Sequence, residues 1–596
     1  MRSTGLLVLI TGLLLTGPVV ASPDVTADAD AITVYHHARV FTANDAQPYA
    51  EALAVRGERI VAVGSLRQVL AAAGSQARQV DLQGRFLMPG LIDAHAHVVG
   101  SKKVLGGGLA MIMASYGNDT YAPDQLAAFV RATRVGGESR FGDVLIINGV
   151  NLVYWSHSAE LDTLFSQGEF ASVPLVLFGD DGHTAWANRI VRERAGVTAA
   201  WLRGLPSDQQ AFYGHNAAFE PDGFVVDAGL TRLRQSLPDP DDATMARAAR
   251  LGVSYMNAHG ITAWLDAAVA GTVGGDIPLT PGDPGSLPAY RALMDHRQLT
   301  AHVAAYPVIM PSLGSAQLDV MQTLREQYQV MPDLMVPGIK VFADGVAEFP
   351  SQTAAMTRPY RNSGLYGKLA YDPDAFNQLI LEADRRGLAV HVHAIGDRAV
   401  RTALDAFEYA RLHHPGPHAP DVITHAQFVS PEDIPRFAAT DTVAALQLHW
   451  AVLDASTTTE LQPYLDPIIY GSMYPARALL ETGAVLAGAS DWPVDYPGSD
   501  SGSPFLHMAQ AERRDGPGGV LQAEQRVPRQ AMLLAYTRNA AKAIGMADQT
   551  GMLTPGRLAD LVVLDRDIAT ATVDELTQTR VLCTIFRGQV VYGSLP

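Results

Sequence analysis

The chain has 596 residues, 48% hydrophobic and 18% charged, with 53 glycines and 36 prolines, a composition that supplies a large core and excludes disorder and fibre. Its 44 Lys and Arg against 61 Asp and Glu leave a formal charge of −17, and no basic block gathers the cations, which argues against nucleic acid as a partner. A single cysteine, Cys583, excludes an intrachain disulfide and any multi-cysteine metal site, so a bound metal must be held by His, carboxylate or a rarer ligand.

The chain opens MRSTGLLVLITGLLLTGPVVAS, with a lone Arg2, an apolar run from Gly5 to Leu15, Gly17-Pro18 and a small-residue end at Ala21. That order is the pattern of a secretory signal peptide over residues 1–21, cleaved after Ala21. The competing reading is an uncleaved anchor, and the run falls short of the ~20 residues that span a bilayer. No cysteine stands at the cleavage point and no second arginine follows Arg2, so neither a lipid anchor nor the folded-export route is indicated. The expected mature chain is periplasmic or secreted, with no membrane attachment after cleavage and with a composition open to homo-oligomer formation.

Residues 22–88 then run in short alternating pieces, among them ITVYHHARVFT, ALAVRG, ERIVAVG and RQVDLQGRFLM. The far end repeats the style over 552–596, with LADLVVLDRD, VLCTIFRG and QVVYG. Neither segment is large enough to bury a face alone, so the two are expected to form one composite β-sandwich. Between them, residues 89–551 switch to apolar strands separated by helical stretches, the pattern of βα units. The strand candidates are 91–97, 261–267, 300–308, 339–345, 389–396, 422–427, 443–450 and 485–491. The predicted fold is therefore α/β, a (β/α)8 TIM-type barrel whose functional residues lie at the C-terminal ends of its strands. The connection from His97 to Ile261 is too long for a bare loop and contains DVLIINGV and VPLVLFGDD, so about 105–255 reads as an inserted subdomain after the first barrel strand. Asp276 to Pro288 is the best candidate for a flexible loop, and PRQAMLLAYTRNAAKAIGM reads as one closing helix.

Polar residues intrude on these strands at matching places. LIDAHAH puts His95 and His97 on one strand face, half of a possible metal site but by itself equally a structural pair. HVHAIGD adds His391 and His393, THAQ adds His425, GASDWP ends in Asp491, and IKVFADG carries Lys340. Several strands each delivering one metal-capable side chain to one mouth point to a metal site rather than to satisfied core histidines. His391, one pleat below His393, and Asp93, below His95, fit supporting roles, and Asp397 fits a helix cap.

The segments PGLIDAHAH, GIKVFADG, HVHAIGDRAV, THAQ, GASDWPV and GMLTPGRLADLVVLDRD resemble the amidohydrolase superfamily, in particular the branch containing N-substituted formamide deformylases; DDGHTAWAN in the insert is similar too. The resemblance implies a divalent-metal-dependent hydrolase, with two Zn2+ per chain as the expected cofactor. It implies that His95 and His97 hold the more buried metal and His393 and His425 the more exposed one. Asp491 would then stand beside the activated water, and Lys340 would carry a CO2-derived carbamate bridging both ions. A plain or ion-paired Lys340 is the alternative, and its positive charge would favour one metal.

On this reading a small molecule with an amide or related C–N bond, of the N-acyl or N-formyl amine type, is the substrate, and Asp491 is general base and then acid. His183, His449, Trp155 and Trp492 are candidates to touch it, each aromatic with packing as its other role. Two alternatives stay open: a noncatalytic periplasmic metal- or solute-binding protein on the same barrel, and an ester or lactone hydrolase using the same site.

Overall fold

The computed structural model describes residues 31–596 apart from 102–105, 119, 138, 272–281, 311–313, 330–332 and 495–499. The expected signal peptide lies outside the described residues, as does the first part of the Asp276–Pro288 loop. Among the described residues no helix is long and apolar enough to cross a membrane.

The fold is mixed α/β, and every predicted barrel strand is present. They do not pair as one closed ring, however. Leu91–Ala96, Ile261–Ala267, His302–Tyr306 and the short Leu334–Met335 form a four-stranded sheet, while Gly338–Phe342, Ala389–Ala394, Val422–His425, Val443–Leu446 and Val485–Gly488 form a five-stranded one. All pairings within both sheets are parallel. In place of one closed ring of ladders there are two parallel sheets, separated at two seams. At one seam a lone bridge links Val308 with Lys340, with Lys340 N donating to Pro307 O at 2.8 Å and Ile309 N to Lys340 O at 2.9 Å. At the other, the strand holding His95 bonds to the segment beyond Val485–Gly488: Asp491 N donates to His95 O at 2.8 Å and His97 N to Trp492 O at 2.9 Å. One apolar cluster still draws on both sheets, with Ile92, Ala263 and Ala304 from one and Val422, Ala445 and Ala487 from the other.

Helices cover these sheets close to where the apolar periodicity put them. Pro373–Arg385 starts behind Asp372, whose side chain accepts from the amides of Asp374 and Ala375, and Asp397–His413 buries Val400, Leu404 and Phe407 at helical spacing. The expected single closing helix is two, Arg529–Ala535 and Arg538–Ala543. The break frees the Tyr536 carbonyl, which accepts from Ile92 N at 2.9 Å and so holds the first parallel strand.

The two terminal segments meet in one eight-stranded sheet, with Arg78–Pro89 at its middle pairing both Ile32–Phe41 and Leu561–Leu564. Both ends of the chain thereby share an apolar cluster that includes Leu53, Leu82, Leu561 and Cys583. Within 105–255 lies a separate seven-stranded sheet whose strands include Val144–Val150, Leu175–Gly179, Thr184–Ala187 and Pro221–Val226.

His302 ties the terminal sheet to the parallel one. Its Nε2 lies 3.1 Å from Asp560 Oδ2 and its Nδ1 3.1 Å from Asp333 Oδ1, with both His302 and Asp560 fully buried. Burial alone would lower the imidazole pKa, but Asp560 and Asp333 overcome it and raise the value from 6.5 to about 9. A folded-state pKa above the unfolded one means that the stabilisation is complete below pH 6.5 and is lost as pH rises through about 9. Replacing His302→Gln is expected to cost about 3 kcal/mol near neutral pH, the scale for breaking a buried pair. Thermal melts between pH 6 and 10 check this: the wild-type decline in Tm across that window should flatten in the variant.

Candidate metal centre

Parallel strands share one direction, so residues at their C-terminal ends collect at one edge. His95 lies in Leu91–Ala96 with His97 just beyond it, His393 in Ala389–Ala394, His425 at the end of Val422–His425, Lys340 within Gly338–Phe342, and Asp491 just past Val485–Gly488. The Asp491 carboxylate is the meeting point. Its Oδ1 is 3.0 Å from His95 Nε2 and 3.1 Å from His97 Nε2, and its Oδ2 is 3.8 Å from His425 Nδ1. The His393 ring centroid lies 4.5 Å from that of His425. Lys340 is buried, with Nζ 4.8 Å from the centre of the Phe342 ring.

Three observations bear on whether this set fits a cation. His95 Nε2 and Asp491 Oδ1, although 3.0 Å apart, are both buried without an aligned hydrogen-bond partner, which leaves a lone pair on each aimed at shared space. Ligand atoms of His95, His425 and Asp491 all lie within 4.8 Å of one another. Burial also drives the pKa of His95, His393 and His425 well below 6.5, so the imidazoles are neutral and carry lone pairs. Burial works against ionisation of Asp491, yet the hydrogen bond from His97 and the charge of Lys340 help to offset it and bring its pKa to about 2. Neutral imidazoles around an ionised carboxylate are a donor set that suits a divalent metal.

The imidazoles are turned by a surrounding layer of acceptors. His97 Nδ1 lies 2.6 Å from Ala267 O, His393 Nε2 3.0 Å from Gly345 O, and His425 Nδ1 3.1 Å from Gln447 Oε1. For His97 and His393 the contact takes the proton of one ring nitrogen and leaves the other as a ligand atom, while His425 Nδ1 faces both Gln447 and Asp491. His95 Nδ1 is 2.6 Å from His391 Nε2, so His391 supports His95. The buried Asp93 accepts from His95 N at 3.0 Å and Ser490 N at 3.1 Å, clamping the strand of His95 to the segment of Asp491. Backbone strain collects here too: His425, Ala426 and Asp491 have φ of +71°, +41° and +56°, conformations that cost ~1–3 kcal/mol each unless their surroundings enforce them.

His183 reaches the centre from the inserted sheet. Its Nδ1 is 2.8 Å from Asp227 Oδ1, and its ring lies 5.5 Å from that of His393. His449 is 7% exposed, neither of its ring nitrogens has a hydrogen-bond partner, and it stacks on His507 at 4.0 Å. The two tryptophans named as substrate contacts are committed elsewhere. Trp155 donates from Nε1 to Thr184 Oγ1 at 2.8 Å inside the apolar core of the insert. Trp492 stacks on Tyr255 at 4.1 Å and lies so close to Gly107 that any Cβ there would meet its ring at 2.1 Å. Their large rings bury more favourably than they would line an open pocket. Asp397 is also corrected: Gly396 is the cap, and Asp397, in the first turn, accepts from Thr357 N at 2.8 Å and Ser430 Oγ at 3.1 Å.

Four supporting residues escaped the sequence reading. Asp344 stood inside the GIKVFADG motif; it is buried, accepts from Ile395 N, Gly396 N and Ala355 N, and lies 3.8 Å from His393 Nε2. Asp227 and Gln447 carried no spacing signal, because their histidine partners are 44 and 22 positions away in the chain, and His507 is likewise remote from His449, on which it stacks.

Comparison with known proteins agrees with the motifs. The profile of the Amidohydrolase family matches residues 78–592. The chain is 25% identical over 571 residues to N-substituted formamide deformylase of Arthrobacter pascens, covering 93% of this chain and 97% of that one. It is 26% identical over 575 residues to Protein LONG AFTER FAR-RED 3 of Arabidopsis thaliana, covering 93% and 90%. The fold is that of an uncharacterized metal-dependent hydrolase from Pyrococcus horikoshii, with a TM-score of 0.68 at 19% identity over 91% of this chain and 99% of that one. With a family match across most of its length, the chain belongs to the amidohydrolase family and is a metal-dependent hydrolase.

Proposed function

We propose that the protein hydrolyses an amide or related C–N bond in a small molecule of the N-formyl or N-acyl amine type. The observation that carries this is the pair of buried, unpartnered atoms His95 Nε2 and Asp491 Oδ1, 3.0 Å apart, where His97 and His425 also converge. The likeness to a protein named for deformylating N-substituted formamides supports the choice of bond. In this reading the two parallel sheets act together as a distorted (β/α)8 barrel, supported by the apolar cluster they share. The mature chain works in the periplasm or outside the cell after loss of residues 1–21.

His95, His97, His393, His425, Asp491 and Lys340, the last as a CO2-derived carbamate, are the residues that would hold metal, with two zinc ions as the expected complement. Such a centre, when loaded, polarises a carbonyl and lowers the pKa of water toward neutrality. Asp491 stands where it can take a proton from the attacking water and return it to the leaving nitrogen, one carboxylate serving both steps because it stays between the reacting groups. His183, fixed by Asp227, presents its remaining ring nitrogen toward the substrate carbonyl, and the unpartnered nitrogens of His449 offer a second polar contact.

Turnover of N-formyl and N-acyl amines against matched esters tests the bond; faster cleavage of the esters would replace this reading with ester hydrolysis, and no turnover of either by metal-loaded protein would leave a binding protein. Asp491→Asn is expected to lower kcat about 10²- to 10⁴-fold, and near-normal kcat would remove Asp491 as the base. Gln447→Ala frees the His425 ring and should weaken metal affinity about 10- to 100-fold, measured by chelator competition. Elemental analysis should find about two divalent ions per chain that depend on His95 and His97, and intact-mass spectra under bicarbonate should show one CO2 adduct that is lost in Lys340→Ala.

A further inference from the structure

The turn between helix Asp397–His413 and strand Val422–His425 reads His-Pro-Gly-Pro-His over 414–418. Both of its histidines reach back to one carboxylate, that of Asp384 in helix Pro373–Arg385. His414 Nδ1 is 2.7 Å from Asp384 Oδ2, and His418 Nδ1 is 2.7 Å from Asp384 Oδ1. The Asp384 side chain is 6% exposed, while those of His418 and His414 are 16% and 42% exposed. None of these residues belongs to the centre described above.

We propose that Asp384, His414 and His418 form a second, peripheral site for a divalent transition metal such as zinc. Two imidazoles and a carboxylate are ligands that zinc, cobalt and nickel accept. One ligand atom from each residue lies within 4.8 Å of the others. Metal bonds of about 2.0–2.2 Å in a tetrahedral site place neighbouring donors roughly 3.4 Å apart, so the 2.7 Å contacts would open by about 0.7 Å, within reach of side-chain rotation.

The chain is prepared for this geometry. Pro415 and Pro417 fix their φ angles between the two histidines, so little loop freedom remains to be lost on binding. His418 also lines an open cleft of about 440 Å3, which gives water access to the remaining coordination positions. The cations lining that cleft are already neutralised, Arg411 by Asp421 at 2.7 Å and Lys542 by Asp441 at 2.5 Å. In the bound form each imidazole would carry its proton on Nε2 and give its Nδ1 lone pair to the ion, with an Asp384 oxygen as the third ligand. Bound metal would fasten the end of one helix to the approach of the strand that carries His425.

The test uses the full mature chain, stripped with chelator, reloaded with Zn2+ alone and passed through a desalting column. The His414→Ala/His418→Ala variant should hold about one ion fewer per chain than wild type, lose part of the zinc-dependent rise in Tm, and keep its turnover. Asp384→Asn, which preserves side-chain size, should show the same metal deficit. A His95→Ala/His97→Ala variant should retain the peripheral ion, so that failure of the catalytic centre and failure of this site are read separately. In that background Co2+ should give a visible absorption band that disappears with His418→Ala. Equal zinc content and an equal zinc-dependent Tm rise in wild type and in both peripheral variants would overturn the proposal.

Discussion

One buried carboxylate holds the arrangement together. Asp491 leaves the five-stranded sheet at the seam where its ladder does not continue into the four-stranded sheet, and its two oxygens face imidazoles from both. The seam is stitched by the backbone of the same residues, with Asp491 N on His95 O and His97 N on Trp492 O. A break in pairing is costly in a sheet core because it leaves backbone groups without partners. Here those groups are satisfied by the segments that carry the donor atoms, so closing the seam and assembling the site are one event.

Much of the surrounding structure keeps these few atoms from relaxing. Asp93 clamps the strand end of His95 to the segment of Asp491, His391 backs His95, and Gln447, Ala267 O and Gly345 O each meet one ring nitrogen of an imidazole. The positive φ values at His425, Ala426 and Asp491 persist because this layer over-determines them. Further out, Trp492 lies flat on Tyr255 and against Gly107, so the segment bearing Asp491 is pinned by a ring too large to shift. A set of neutral imidazoles around an ionised carboxylate has little reason to stay dry and unpaired unless a cation completes it, which is why the metal-dependent family and the geometry point the same way.

The terminal sheet serves the centre at a distance. Its middle strand, Arg78–Pro89, runs directly into Leu91–Ala96 and so sets where His95 emerges. Gly90 N donates to Asp560 O at 2.9 Å, and the same Asp560 receives His302 from the third parallel strand. Bringing the two ends of the chain into one sheet therefore fixes the first strand of the site, and the closing helices add a second hold through the Tyr536 carbonyl on Ile92 N.

The sequence by itself determined the local matters: which stretches are apolar strands or helices, that they alternate as βα units, and that His95, His97, His393, His425, Lys340 and Asp491 fall on those strands or just past them. Period-two alternation and the ends of apolar runs are enough for that, since they depend only on neighbours in the chain. Ring closure, the break at Thr537, the partnership of His183 with Asp227 and of His425 with Gln447, and the packing roles of Trp155 and Trp492 were decided by the tertiary structure alone. Each depends on groups tens of residues apart meeting in space, and periodicity carries no record of which distant acceptor will take a given proton or which cavity a given ring will fill.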